Sequence, residues 1–142
     1  MIASDRVAVP VEQGAHDRRP WAGIVCTVVA ALFLTFDAGL KLLRAGPAVE
    51  GTTSLGYPAD SVAWIGGIEL GCLALYLVPR TAPLGALLMT AYLGGAVATH
   101  VRVSSPLLTH TIFPVYVALL LWAGLYLRDP RLRALGPLRN RE

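Results

Sequence analysis

Four apolar runs, Trp21 to Leu43, Ser61 to Val78, Pro83 to Val101 and Leu107 to Leu127, constrain this chain more than any other feature. They hold 23, 18, 19 and 21 residues. At about 1.5 Å per residue each makes a helix of about 27 to 35 Å, long enough to cross a hydrocarbon core. Lipid offers no partner to backbone N–H and C=O groups, so helices, which satisfy these groups internally, are the form such runs take. Together the runs occupy 81 of the 142 residues, which leaves no room for a separate soluble domain. Only 15% of residues are charged, where a soluble domain carries roughly a quarter, and the mean hydropathy is +0.59. The expected fold class is all-α: an integral membrane four-helix bundle, antiparallel in up-down-up-down order.

The links fit that reading. VPRTAP, residues 78 to 83, breaks the helix with two prolines, and Thr81 is placed to cap the helix that Pro83 begins. The 17 residues from Arg44 to Asp60 are expected to form a longer loop, with Asp60 or Ser61 capping the next helix, and RVSSP at 102 to 106 makes the third link. Residues 1–20 read as a flexible tail and 129–142 as a basic one, flanking a membrane domain at 21–128. Arg18 and Arg19 precede an apolar run as in an export signal, but the run is long and no small-residue cleavage site follows, so it is expected to be a retained span.

The net charge of +3 does not point to nucleic acid, because the basic residues cluster between apolar runs and at the ends. If both termini are cytoplasmic, nine of the twelve Lys and Arg residues lie inside and only Lys41, Arg44 and Arg102 outside, which favours that orientation. Trp21, Tyr76, Trp122 and Tyr126 are then expected near the inner interface and Tyr57, Trp64 and Phe113 near the outer one. Membrane lipid is the first expected partner.

Ionisable side chains inside spans are costly, so Asp37, Lys41, Glu69, His100 and His110, with Arg102 at a span end, form the candidate polar pocket. Counted along their helices, Glu69 lies about 12 Å, Asp37 about 9 Å and His110 about 5 Å from the outer ends, at similar depth. Cys26, Ala30, Phe33, Asp37 and Lys41 follow helical spacing and are expected to face protein. The GxxxG pattern from Gly67 to Gly71, and Gly94 with Gly95, are expected to permit close helix contact. Pro114, seven residues into the last run, is expected to free the carbonyl of His110. Three readings of the polar set stay open: an ion-pair network that only balances charge, a ligand or proton-handling pocket, and a metal site of His100, His110, Asp37 and Glu69, for which no local ligand spacing speaks. Glu69 and His100 are expected to approach each other as an acid/base pair, with Lys41 or Arg102 in ion-pair reach. Cys26 and Cys72 lie in apolar runs outside any CxxC spacing, so no disulfide is implied.

LFLTFDAGLKLL, LGYP, IGGIELGCLALYLVPRT, LGALLMTAYLGGAVATHVR and WAGLYLRDPRLRALGP together resemble the DoxX-like family of small four-span membrane proteins, over residues 32 to 137. The resemblance implies a bacterial cytoplasmic membrane and kinship to the small subunit of a thiosulfate:quinone oxidoreductase, and its pattern lands on Lys41, Glu69, His100 and Arg102. Two function classes follow. One is a membrane subunit of a quinone- or sulfur-linked oxidoreductase system, with quinone as the candidate cofactor and a partner protein carrying the electrons. The other is a non-enzymatic protein that binds a small molecule or lipid or steadies a partner. Whether the chain catalyses anything, and whether it forms a homo-oligomer, stay open.

Overall fold

The computed structural model describes residues 19–135, and every described element is helical. What was expected of residues 1–18 and 136–142 lies outside that range. The helices are α1 (Arg19–Leu42), α2 (Gly46–Ser54), α3 (Ser61–Leu77), α4 (Ala82–Arg102), α5 (Phe113–Arg128) and α6 (Pro130–Leu135), with a π-helical turn at Leu107–Thr111 before α5. Three stretches, Trp21–Leu42, Ala82–Arg102 and Leu107–Arg128, are long and apolar enough to cross a membrane, and Ser61–Leu77 is apolar over 17 residues. Their outward faces carry large apolar side chains, with Trp21, Leu32, Phe36 and Trp64 among the most exposed. Water would penalise such continuous apolar surface, and lipid accepts it.

Each long helix packs against two others: α1 and α4 both lie against α3 and α5. The core they enclose contains Ala30, Leu34, Leu73, Met89, Leu121 and Leu125. Four glycines, Gly23, Gly66, Gly85 and Gly124, set how closely the backbones approach. A Cβ at Gly66 would come within 2.7 Å of Lys41 Cβ and 2.9 Å of the Ala38 carbonyl, one at Gly124 within 3.0 Å of the Thr27 nitrogen, and one at Gly85 would collide with the backbone of Leu75 and Tyr76. The expected contact glycines are different ones. Gly67, Gly71, Gly94 and Gly95 have open space where a Cβ would stand, because the buried stripe of α3 runs through Val62, Gly66, Glu69, Leu73 and Tyr76 and turns Gly67 and Gly71 outward with Trp64 and Ile68.

A similar rotation corrects the stripe expected on α1. The buried positions are Gly23, Thr27, Ala30, Leu34 and Ala38, so Phe33, Asp37 and Lys41 lie at the edge of the contact, where they border a cavity. Tyr76, expected in an aromatic belt, is fully buried. Its hydroxyl donates to the Leu121 carbonyl at 2.9 Å and lies 3.3 Å from Thr27 Oγ1.

The helix ends also differ from the expected caps. Asp60 and Thr81 occupy the N-cap positions of α3 and α4, yet neither side chain caps the helix. Asp60 pairs with Arg44 at 3.0 Å, Ser61 Oγ donates back to the Pro58 carbonyl at 2.7 Å, and Thr81 Oγ1 donates to the Leu75 carbonyl at 2.8 Å. Arg128 donates to the Tyr76 carbonyl at 3.1 Å. Thr81 and Arg128 thus serve carbonyls at the end of α3 that have no partner within the helix.

The loop expected from Arg44 to Asp60 contains α2, nine residues opened by Pro47 near its first turn. Thr52 and Thr53 donate to the carbonyls of Ala48 and Val49, four residues back. The last run is not one continuous α-helix. Pro106 and Pro114 bracket the π-helical turn, and Pro114 lies in the first turn of α5, where its missing N–H costs nothing. It starts a helix instead of kinking one.

Candidate functional site

The candidate site is built on a four-residue cluster at the α2 side of the helix assembly. Asp37 and Lys41, one turn apart on α1, face Glu69 on α3 and Tyr92 on α4. The Lys41 ammonium donates to Asp37 Oδ2 at 2.6 Å, to Glu69 Oε2 at 2.8 Å and to the Tyr92 hydroxyl at 3.0 Å. Tyr92 in turn donates to Glu69 Oε2 at 2.8 Å. An ammonium has three protons to give, and here all three are engaged. The close approach of α1 and α3 at Gly66, against Lys41 Cβ, brings the cluster together.

Glu69 is fully buried, and its two oxygens have different surroundings. Oε2 accepts twice, whereas Oε1 is buried and has no hydrogen-bond partner among the described residues. A buried carboxylate oxygen without a donor is expensive. Asp37 is less constrained, with 38% of its side chain exposed.

Glu69 stands on the wall of a cavity of about 850 Å³. Phe33, Ile65, Ile68, Leu93, Phe113 and Val117 give it an apolar lining, α2 contributes Pro47, Ala48, Gly51 and Thr52, and polar groups gather at Asp37, Lys41, Glu69, Tyr92, His100 and His110. Phe33 and Phe113 meet edge to face with centroids 5.3 Å apart. The connection after α2 is tied to α4 at two points: the Tyr57 hydroxyl lies 2.9 Å from Thr99 Oγ1, and Arg102 donates to the Leu55 carbonyl at 2.8 Å.

Five of the six expected pocket residues, Asp37, Lys41, Glu69, His100 and His110, therefore border one cavity. Arg102 does not. As the last residue of α4 it reaches to the loop carbonyl, so it holds the cavity's wall and is not part of it. The expected Glu69–His100 pair does not form as a direct contact. Glu69 is taken by Lys41 and Tyr92, while His100 Nδ1 lies 3.0 Å from Ser105 Oγ and the imidazole faces that of His110 with centroids 6.0 Å apart. His110 Nδ1 lies 2.8 Å from Thr109 Oγ1. No group of three His, Cys, Asp or Glu side chains among the described residues is placed to hold a metal ion. Cys26 and Cys72 are free thiols.

Sequence reasoning missed Tyr92, whose signal was depth. It lies ten residues, about 15 Å, from the end of α4, close to the level assigned to Glu69, and a phenol in a span needs a partner for its hydroxyl.

The DoxX-like family matches residues 25–124. The chain belongs to the DoxX-like family. That match covers α1 from its second turn through most of α5, and with them the whole Asp37–Lys41–Glu69–Tyr92 cluster. The apolar helices and the family together make this DoxX-like chain a membrane protein. Comparison with curated proteins and with solved structures gave no match.

Proposed function

We propose that this DoxX-like protein is a small-molecule-binding membrane protein that holds an amphipathic ligand in the cavity between α1, α3, α4 and the start of α5. The observation that carries the reading is Glu69: a fully buried carboxylate, its Oε1 without a partner among the described residues, on a residue that lines an otherwise largely apolar cavity of about 850 Å³. Pockets of this size and character hold drug-sized ligands, with the apolar body enclosed and a few polar groups fixing its orientation. Asp37, Lys41, Glu69 and Tyr92 fix the head group in this reading, and His100 and His110 also line the cavity.

The same reading has α1, α3, α4 and the Leu107–Arg128 stretch as four antiparallel spans in a bacterial cytoplasmic membrane, with both termini cytoplasmic and the cavity in the outer half. Its support is the pairwise packing of these helices, their apolar outward faces and the nine-to-three distribution of basic residues. Residues 1–20 and 129–142 are then cytoplasmic tails around the 21–128 membrane domain. A quinone, the candidate that the redox reading supplies, would fit by size. Its carbonyls only accept, however, and the Lys41 donors are already engaged, so its hydrogen bonds would come from Nε2 of His100 or His110. In that case the protein is a subunit of an oxidoreductase system, and a partner protein carries the electrons.

The test is mass spectrometry of the organic extract of protein purified from membranes. Wild type is expected to carry a specific small molecule that Glu69→Gln loses at equal protein recovery. An extract that contains only bulk lipid in both proteins would overturn the reading. A quinone in the wild-type extract would place the protein in the oxidoreductase class.

A further inference from the structure

Donors and charges around the cavity specify the head group of its ligand. Lys41 has no proton left to give, and Tyr92 spends its own on Glu69. What the cluster still offers is acceptors: Glu69 Oε1, which lacks a partner among the described residues, and the second oxygen of the part-exposed Asp37. The charge count agrees. With both carboxylates ionised, the two share one ammonium, which leaves one negative charge uncompensated among these side chains. Arg102, the nearest further cation along α4, is turned to the Leu55 carbonyl, and the cavity lining also carries the two imidazoles of His100 and His110. A net negative charge at membrane depth is costly without a counter-ion.

We propose that the cavity binds lipophilic amines, with a protonated ammonium pairing with the part-exposed Asp37 and, by a small turn of the buried Glu69 side chain toward the cavity, donating to Glu69 Oε1, and with an aromatic or aliphatic body lying against Phe33, Phe113 and Ile68. An ammonium supplies at once the missing donor and the missing positive charge. A neutral hydroxyl supplies only the donor, and an anion supplies neither and meets two carboxylates. The edge-to-face Phe33–Phe113 pair also offers ring faces and edges suited to an aromatic body. This inference rests on the reading of the cavity as a ligand site and adds the chemical class of the ligand.

The experiment titrates detergent-purified protein with three probes that share one body, phenylbutylamine, phenylbutanol and phenylbutyrate, by isothermal calorimetry against a blank of detergent micelles alone. The amine is expected to bind at least about tenfold tighter than the alcohol, a difference of about 1.4 kcal/mol, and the carboxylate weakest of the three. In Asp37→Asn, a substitution at a part-exposed site that leaves Glu69 paired with Lys41, the amine's advantage over the alcohol is expected to shrink. Glu69→Gln is expected to abolish the preference, with its thermal unfolding recorded to confirm a folded protein. Alcohol and amine binding equally, or a preference for the carboxylate, would overturn the amine assignment and leave the cavity reading standing. If none of the three binds, both fall.

Discussion

Lys41→Met is expected to destabilise the protein by about 3–5 kcal/mol, because it leaves the fully buried Glu69 carboxylate with no cation beside it. The loss should show as a lower thermal unfolding midpoint in detergent. Asp37 contributes less to the penalty, since its exposed side chain keeps contact with its surroundings. The mechanism makes a second demand: Lys41→Met combined with Glu69→Leu removes both charges, so the double variant is expected to regain most of what the single variant loses. Lys41→Met unfolding at the wild-type temperature would show that the pair does not hold α1 against α3. A double variant no better than the single one would show that packing, and not the stranded charge, carries the cost.

Gly85→Ala is the second large effect expected, and its cause is steric. The added Cβ would fall on the backbone of Leu75 and Tyr76, and backbone cannot swing aside as the end of a side chain can. The cost is expected to reach about 3 kcal/mol, the upper part of the range for overpacking. Gly94→Ala is the matched control on the same helix. Nothing lies within 4 Å of its Cβ, and alanine favours helix over glycine by about 1 kcal/mol, so this variant is expected to unfold at or above the wild-type temperature. Equal behaviour of the two variants would contradict the packing of α4 on α3.

These two glycines show where the sequence was legible and where it was not. The positions of the long apolar helices were legible because length and hydropathy act through the thickness of the bilayer, which does not depend on which way a helix faces. Facing was the harder problem. Gly67 and Gly71 make a GxxxG pattern, and Gly94 and Gly95 stand together, but glycine spacing does not say which side of a helix meets protein. The apolar residues cannot say it either, since lipid and core accept the same side chains. Glu69 was the better guide: a carboxylate must face protein, and counting back from it by three and forward by four gives Gly66 and Leu73, both buried. The same logic read from Asp37 and Lys41 failed by part of a turn on α1, because a cavity lets a charged residue sit at the edge of a contact instead of its centre.

Short elements were hidden for another reason. GPAVEGTTS carries two glycines and no apolar periodicity, and α2 forms with its threonines bonded back to its own carbonyls. The π-helical turn depends on Pro106 and Pro114 together, which hydropathy alone reads as one continuous span. Within the site, Asp37, Lys41 and Glu69 were selected because charge in a span must be explained. Tyr92 carries no charge to single it out, and shared depth does not pair His100 with Glu69, because side chains on α1 and α4 already occupy that carboxylate.

A ligand held in the cavity beside Glu69 is expected to be displaced by a substitution that fills the cavity without touching the charged cluster. Gly95 lines the cavity, and nothing lies within 4 Å of where its Cβ would stand, so Gly95→Phe can place a ring in that space. Mass spectrometry of protein purified from membranes is expected to find the bound small molecule in wild type and to find it absent, or reduced at least about tenfold, in Gly95→Phe, with the unfolding temperature unchanged or raised. Retention of the molecule at wild-type level by a folded Gly95→Phe protein would contradict a ligand site in this cavity, because the molecule would then be bound elsewhere.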